Sequence, residues 1–204
     1  MDRIVGVALD LVDEEGAEAL TLRSLATRMQ SSTATLYRHF SGRADLARCV
    51  VDAVFAEVRL DEALVETSTW DVSIAHIAEN MFTVLERHRN VAPLILSEIP
   101  MGPHALRLRE RCLSVLVTNG FTPLNALRAY ATLARYVLGF AVQAASEAAS
   151  SGAAYRIEGH GELDLPVTAY VQSVGPIALA DEFHFGLELM MDGLRSRHAR
   201  TPAP

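Results

Sequence analysis

The sequence predicts an all-α fold. Apolar residues recur at helical spacing along most of the chain, beginning with the stripe formed by Ile4, Val5 and Ala8. No segment alternates between apolar and polar residues in the way a half-buried strand does. Of the 204 residues, 50% are hydrophobic and 21% are charged, so the chain can bury a core and is neither a disordered tail nor a coiled coil. A compact helical protein is therefore expected.

Four helices are predicted near the N-terminus. The first ends at Gly16, because glycine accepts the positive φ common at a helix C-terminus. Thr21 is expected to cap the second helix and Ser32 the third, since both hydroxyl groups can accept a hydrogen bond from a free backbone N–H. The fourth, over 43–58, begins after a glycine. Together the first three helices form a unit of the size that commonly binds DNA.

The rest of the chain predicts a larger helical body. Asn119-Gly120 supplies a positive-φ turn between the helices expected at about 104–119 and 123–151. Residues 152–179, with four glycines and two prolines, predict a loop that contains one helical turn near 167–172. The helices are expected at about 70–88, 91–98, 104–119, 123–151 and 179–197. We therefore divide the chain into domains 1–48 and 49–204.

The distribution of charge indicates a face for a polyanionic partner. The formal net charge is −7, and residues 1–19 carry one arginine against six acidic residues. Residues 20–48, in contrast, carry five arginines against one aspartate. A short basic block on an acidic protein favours a nucleic-acid-reading face over a generally adhesive surface.

Other functional classes find no support in the sequence. It contains no phosphate-cradling glycine motif, CxxC pair or nucleophile elbow, so an enzyme is not predicted. His76 and His88 would not share a helix face, so neither a metal nor another cofactor is expected. Cys49 and Cys112 are expected to be free thiols. No apolar run approaches the roughly 18 residues of a membrane span, and no signal-peptide pattern opens the chain, so we expect a cytoplasmic protein without a membrane partner.

Residues 20–43 fit a helix-turn-helix motif. Such a motif needs a small residue where its two helices cross, a tight turn, and an apolar anchor on the second helix. Ala26 is the small residue and Leu36 is the anchor, with the turn at Gln30. The backbone there must reach φ > 0, where glycine is usual, so Gln30 is expected to cost about 1 kcal/mol relative to glycine.

A more specific pattern includes the same region and continues beyond it. It comprises Leu20-Thr21-Leu22-Arg23, Thr35-Leu36-Tyr37-Arg38-His39-Phe40 and Gly42-Arg43, followed by Asn119-Gly120-Phe121, Leu138-Gly139 and Phe185-Gly186-Leu187. These segments closely resemble the TetR (tetracycline-repressor-like) family of bacterial transcriptional regulators. The resemblance implies a helix-turn-helix DNA-binding domain over 1–48 and a helical effector-binding and dimerisation domain over 49–204. It also implies a homodimer, in which helices 123–151 and 179–197 of both subunits form a four-helix bundle.

The resemblance also assigns DNA contacts. The helix over 33–39 would lie in the major groove, because its arginine can bind guanine and its small methyl groups can contact thymine. The residues implied to face base edges are Thr33, Ala34, Thr35 and Arg38, with Arg23 reaching a base or phosphate from the preceding helix. The residues implied to hold the phosphate backbone are Tyr37, His39 and Arg43. Alternatively, Tyr37 is a core aromatic, as Phe40 is expected to be, and His39 a structural hydrogen-bonding residue.

An effector cavity is implied between the helices of the larger domain. The resemblance places its lining at Ile77, Met81, Ile95, Pro100, Leu127 and Tyr130, with Arg59 near the entrance from the DNA-binding domain. In the tetracycline repressor the corresponding places include polar and histidine groups that hold a magnesium–drug chelate. Three of these positions are apolar here, so we expect a more hydrophobic small-molecule effector in place of magnesium-tetracycline. The alternative is that these residues are ordinary core.

The expected mechanism is a ligand-controlled shift between two forms of a dimer. The helix over 43–58 would act as the lever, and the effector would move the two recognition helices out of register with a pseudo-palindromic operator. A stripe on the last helix is expected to be buried in the dimer: Phe183, Leu187, Met190, Met191 and Leu194. The competing interpretation is a helical adaptor that kept the fold without operator binding.

Overall fold

The computed structural model describes residues 1–97, 99–149 and 166–200, and every regular element in these ranges is helical. The predicted all-α fold is confirmed. The α-helices are α1 (Asp2–Glu15), α2 (Leu22–Arg28), α3 (Thr33–Tyr37), α4 (Arg43–Ala56), α5 (Glu62–Thr67), α6 (Trp70–Arg87), α7 (Ala92–Ser97), α8 (Pro103–Thr118), α9 (Pro123–Ala149), α10 (Pro166–Gln172) and α11 (Leu179–Arg200). No helix in the described ranges is long and apolar enough to cross a membrane.

The head, which comprises α1 to α3 and the start of α4, packs around one apolar core. Thr21 and Ser32 cap α2 and α3 as predicted, since each hydroxyl oxygen accepts a hydrogen bond from the backbone N–H three residues later, at 3.0 and 3.2 Å. Gln30 has φ 51°, and among the described residues it alone combines a positive φ with a side chain. The expected left-handed turn is therefore present at a residue other than glycine.

The larger body is built around α6 and α9, and an aromatic cluster fastens α11 to both. Phe82 of α6 stacks on Phe183 of α11 with ring centroids 4.0 Å apart. The Tyr136 hydroxyl group on α9 donates a hydrogen bond to the Phe183 carbonyl oxygen at 2.7 Å. Gly186 permits this close approach, because a Cβ atom at that position would collide with the Tyr136 ring.

Two helices differ from the sequence-based expectations. Helix α5 was not predicted: Asp61 caps it by accepting a hydrogen bond from the Leu64 N–H at 3.0 Å, but its six residues are too few to show a helical period. Helix α4 ends at Ala56, two residues early. The helical turn expected near 167–172 is present as α10. Residues 152–165 of the expected loop lie outside the described residues.

The predicted dimer stripe on α11 is wrong in its main residues. Phe183, Leu187 and Met191 are 0–2% exposed within the single chain, because they pack on α6 and α9. Phe185 and Leu189 are instead the apolar residues that α11 exposes, at 65% and 57%. The helix carries apolar residues on two faces, so periodicity alone did not identify the inward one.

Candidate DNA-reading face and effector cavity

Helix α3 presents an exposed polar surface on a firmly anchored base. Within this fully described helix Leu36 is the buried residue, at 1% exposure, and Phe40 just beyond it is also 1% exposed. Tyr37 is 62% exposed, so it is not a core aromatic, whereas Phe40 is one as predicted. The structure brings the other predicted contacts onto the same exposed surface: Thr33, Ala34, Thr35, Arg38 and His39.

The arginines of the head fall into two groups. Arg23 and Arg38 are exposed and form no ion pair with any residue in 1–97, 99–149 or 166–200. Arg28 forms surface ion pairs with Glu14 and Glu15. The guanidinium groups of Arg23 and Arg38 are therefore available to a partner.

Arg43 has a structural role in addition to the phosphate contact predicted for it. Its Nε donates a hydrogen bond to the Leu20 carbonyl oxygen at 2.9 Å, and its Nη2 donates one to the Ala17 carbonyl oxygen at 3.0 Å. The guanidinium group thus ties α4 to the turn after α1. The sequence pattern did not indicate these two backbone contacts. The phosphate contact itself stays a prediction.

A cavity of about 510 Å³ lies among α4, α6, α7, α8 and α9. This volume is within the range of small-molecule sites. Of the predicted lining residues, the structure brings together Ile77, Met81, Ile95, Pro100, Leu127 and Tyr130. Arg59 is exposed beyond the end of α4 and is not among the residues that line the cavity, so its expected place near the entrance stays a prediction.

The polar groups of the cavity wall are few. They are Arg109, Cys112, Tyr130 and Arg135. Burial raises the pKa of the Tyr130 phenol, and burial raises the pKa of the Cys112 thiol to about 12, so both side chains are neutral near pH 7. The Arg109 guanidinium carbon lies 5.6 Å from the centre of the Tyr130 ring. In the described part of the chain no group of three His, Cys, Asp or Glu residues could hold a metal ion.

Asp52 of α4, the helix that leads out of the head, contacts the start of α8 beside the cavity wall, and the sequence did not indicate this contact. Its Oδ1 accepts hydrogen bonds from the His104 and Ala105 backbone N–H groups at 2.9 and 3.2 Å, and its Oδ2 lies 2.9 Å from His104 Nδ1. The carboxylate therefore caps α8. Gly102 makes this possible, since a Cβ atom there would collide with the Asp52 side chain. We call these contacts the Asp52 clasp.

A second contact between the head and the body surrounds His88, at the end of α6. Its Nδ1 lies 2.7 Å from Asp13 Oδ2 in α1, and its Nε2 lies 3.1 Å from Glu57 Oε2 at the end of α4. Arg87 also pairs with Glu57, at 3.1 Å. The Asn90 amide donates a hydrogen bond to the Asp13 carbonyl oxygen at 2.8 Å. We call these contacts the His88 cluster.

An exposed recognition helix on an all-helical body with an apolar cavity places the protein among helix-turn-helix DNA-binding regulators. Residues 4–50 match the family described as bacterial regulatory proteins, tetR family. Residues 64–198 match the family described as tetracyclin repressor-like, C-terminal domain. The chain therefore belongs to the TetR family of transcriptional regulators, as the resemblance predicted.

Known transcriptional regulators are similar to this chain in sequence. An HTH-type transcriptional regulator of Saccharopolyspora erythraea is 38% identical over 140 residues, which cover 68% of this chain and 58% of that protein's length. The tetracycline repressor protein class E of Escherichia coli is 26% identical over 200 residues, or 97% of this chain and 91% of the relative.

A solved structure is similar over nearly the whole chain. Apo ActR from Streptomyces coelicolor superposes with a TM-score of 0.82 at 27% identity, covering 97% of this chain and 95% of that one. ActR in complex with actinorhodin superposes with a TM-score of 0.81 at 25% identity, covering 97% of each chain. The fold described above is thus shared with a family member whose ligand complex is known.

Proposed function

We propose that this protein is a ligand-responsive transcriptional repressor that binds a pseudo-palindromic operator as a homodimer and is released by a hydrophobic small molecule. Residues 1–48 form the DNA-binding domain and residues 49–204 the effector-binding and dimerisation domain. The observation that carries the proposal is the surface of α3, where Leu36 anchors the helix and the neighbouring polar side chains are exposed. A polar, partly cationic helix face of this kind suits the major groove.

The proposed DNA contacts divide by chemistry. Base edges are read by Thr33, Ala34, Thr35 and Arg38, with Arg23 reaching a base or phosphate. The phosphate backbone is held by Tyr37, His39 and Arg43. Arg43 contributes to phosphate binding with the part of its guanidinium group that its two backbone contacts leave exposed.

The proposed effector site is the apolar cavity. Ile77, Met81 and Ile95 offer no polar ligand to a magnesium–tetracycline chelate, so a more hydrophobic effector is expected. The known complex of ActR with actinorhodin supports a small-molecule site in this fold. A larger groove of about 1160 Å³ along α1 and α4 is bordered by charged residues that include Asp45, Arg48 and Glu57, so it suits an apolar effector less well.

The proposed coupling uses α4 as the lever. Phe55 of α4 lines the cavity directly. Pro100, Met101 and Ala105 also line it, and they adjoin the backbone that the Asp52 clasp holds. An occupant that displaces this wall would change the position of α4, and with it the position of the head. An effector can shift α4 from one position to another only if it binds the protein more tightly when α4 is in the second position.

The proposed dimer uses the outer surfaces of α9 and α11. Phe185 and Leu189 lie one turn apart on α11 and expose their apolar side chains, which a second subunit would bury. Burial against the same surface of an identical chain gives a two-fold dimer, and a two-fold dimer requires an operator with matching symmetry.

The proposal is tested by selecting binding sites from a random duplex pool and from the DNA beside the gene, at two salt concentrations. We expect the wild type to select a palindromic site and to bind it more weakly as salt rises. Tyr37→Ala removes a phosphate contact and should weaken binding at least about tenfold. Tyr170→Ala, which removes another exposed tyrosine, is the matched control and should bind normally.

Failure to select any site at low salt would contradict the proposal. The helical adaptor would then replace the repressor, because an adaptor shows neither sequence selection nor salt-dependent DNA binding. A selected site without two-fold symmetry would contradict the homodimer alone.

A further inference from the structure

We propose that Arg109 binds an anionic group of the effector, so that the natural effector is an amphipathic organic acid. This inference rests on the proposed effector cavity and adds the chemical class of its ligand. The apolar walls would receive the body of the molecule. A carboxylate or similar acid group would pair with the guanidinium group at the junction of α8 and α9.

The charge of the cavity wall supports an anion. The described residues that line it include two arginines, Arg109 and Arg135, and no aspartate or glutamate. This excess of positive charge stands out in a chain whose formal net charge is −7. A concave site lined by one sign of charge attracts ligands of the other sign.

Arg109 has no anionic partner in the described part of the chain. Its contact there is with the face of the Tyr130 ring, 5.6 Å from the guanidinium carbon. Arg135 donates a hydrogen bond to the Ala131 carbonyl oxygen within its own helix, at 3.0 Å, and likewise pairs with no described carboxylate. A partly buried guanidinium group without an anion has lost hydration that a ligand carboxylate would replace.

The surroundings of Arg109 favour a ligand with an apolar body. Leu108 and Cys112, on the same helix, are 9% and 5% exposed, and Tyr130 adds a half-buried ring opposite. Because the Tyr130 phenol and the Cys112 thiol stay neutral near pH 7, neither competes as an internal anion. Arginine is suited to this role, since its planar fork can donate two parallel hydrogen bonds to a carboxylate or sulfonate.

The test uses two fluorescent probes that differ by the acid group alone. One is the anion 8-anilinonaphthalene-1-sulfonate, and the other is N-phenyl-1-naphthylamine, which lacks the sulfonate. We expect Arg109→Gln to weaken binding of the sulfonate probe by about ten- to hundredfold, which is the range of a charged hydrogen-bonded pair. The neutral probe should change by no more than about twofold.

Two further variants test whether the loss of probe binding is specific to Arg109 and whether the probes bind in the cavity. Arg107→Gln removes an exposed arginine of the same helix that does not line the cavity, so both probes should bind as they do to the wild type. Ala134→Trp places a bulky side chain on the cavity wall and should exclude both probes. Circular dichroism and thermal melting check that each variant is folded.

The outcomes separate this inference from the proposed function. If Arg109→Gln leaves both affinities unchanged while Ala134→Trp excludes both probes, the cavity exists as a ligand site and the anion site is refuted. If neither probe binds the wild type, or Ala134→Trp leaves both bound, the cavity itself is refuted as an effector site and the anion site with it.

Discussion

The head and its linking helix α4 contact the rest of the chain in two places that use similar chemistry. At the Asp52 clasp a carboxylate of α4 caps α8, and at the His88 cluster a histidine of the body lies between two carboxylates of the head and lever. The residues beside the clasp line the effector cavity, whereas none of the residues of the His88 cluster is among the described residues of its wall. On the proposed function, this difference predicts that the Asp52 clasp couples the head to the effector and that the His88 cluster fastens the head in place.

The largest loss of stability is expected from a substitution in the His88 cluster. His88→Ala leaves Asp13 and Glu57 without their shared partner, and Asp13 Oδ1 already lacks a hydrogen bond among the described residues. Because Asp13 is 29% exposed, solvent compensates in part, and we expect a loss of about 2 kcal/mol in the free energy of unfolding. Thermal melting should show a fall of about 4–8 °C.

A conservative variant separates the lost contacts from a general effect of substitution. His88→Gln keeps one donor for a carboxylate and should lose less stability than His88→Ala. Equal stability of His88→Ala and the wild type would show that the cluster does not fasten the head.

A smaller loss of stability is expected from a substitution in the Asp52 clasp. Asp52→Ala removes the cap from α8 and should lower the free energy of unfolding by about 1 kcal/mol, measured by denaturant titration. Asp61→Ala is a matched control, because it removes another aspartate cap, that of α5, away from the cavity. The two variants should be destabilised alike, and a much larger loss in Asp52→Ala would mean that the clasp is chiefly a stability element.

A loss of stability comparable to that of Asp52→Ala is expected for Gly102→Ala. The backbone of Gly102 has φ −70° and ψ 164°, which alanine adopts readily, but the added methyl group displaces the Asp52 side chain. The new methyl carbon would also lie 2.5 Å from Asp52 Cβ, which side-chain rotation cannot move, so the backbone of α4 or α8 must shift. With the cap lost as well, the free energy of unfolding should fall by about 1 kcal/mol or more. Operator release by the effector should weaken too, because the displaced Asp52 carboxylate no longer caps α8 beside the cavity.

Gly6→Ala controls for the added methyl group. A Cβ atom at Gly6 meets no neighbouring atom, so this variant should retain full effector response. If Gly102→Ala also responds normally, the position of the Asp52 carboxylate does not matter for coupling.

The sequence predicted the parts of the molecule that local patterns encode. The capping roles of Thr21 and Ser32 and the positive φ of Gln30 depend on neighbouring residues, and the structure confirms them. The family resemblance located six residues of the cavity wall, because the order of helices carries that information. Arg59 lies beyond the end of α4 at Ala56 and outside the cavity wall, so its place near the entrance stays a prediction.

The contacts between distant parts of the chain were not predictable in this way. Asp52 and His104 are 52 residues apart, and Asp13 and His88 are 75 apart. No periodic pattern pairs such residues, because their proximity depends on how α4 and α6 pack. The inward face of α11 was misassigned for the same reason, as Phe183 is buried by Phe82 and Tyr136.

The most direct test of this account is the ratio of operator dissociation constants with and without an effector, found by screening small molecules for release of the selected operator. We predict a ratio of about 10–100 for the wild type and for Asp61→Ala. For Asp52→Ala the ratio should fall to within about threefold of unity, while operator affinity without effector is retained. An Asp52→Ala variant that keeps the wild-type ratio would contradict the claim that the clasp carries the effector signal to the DNA-binding head.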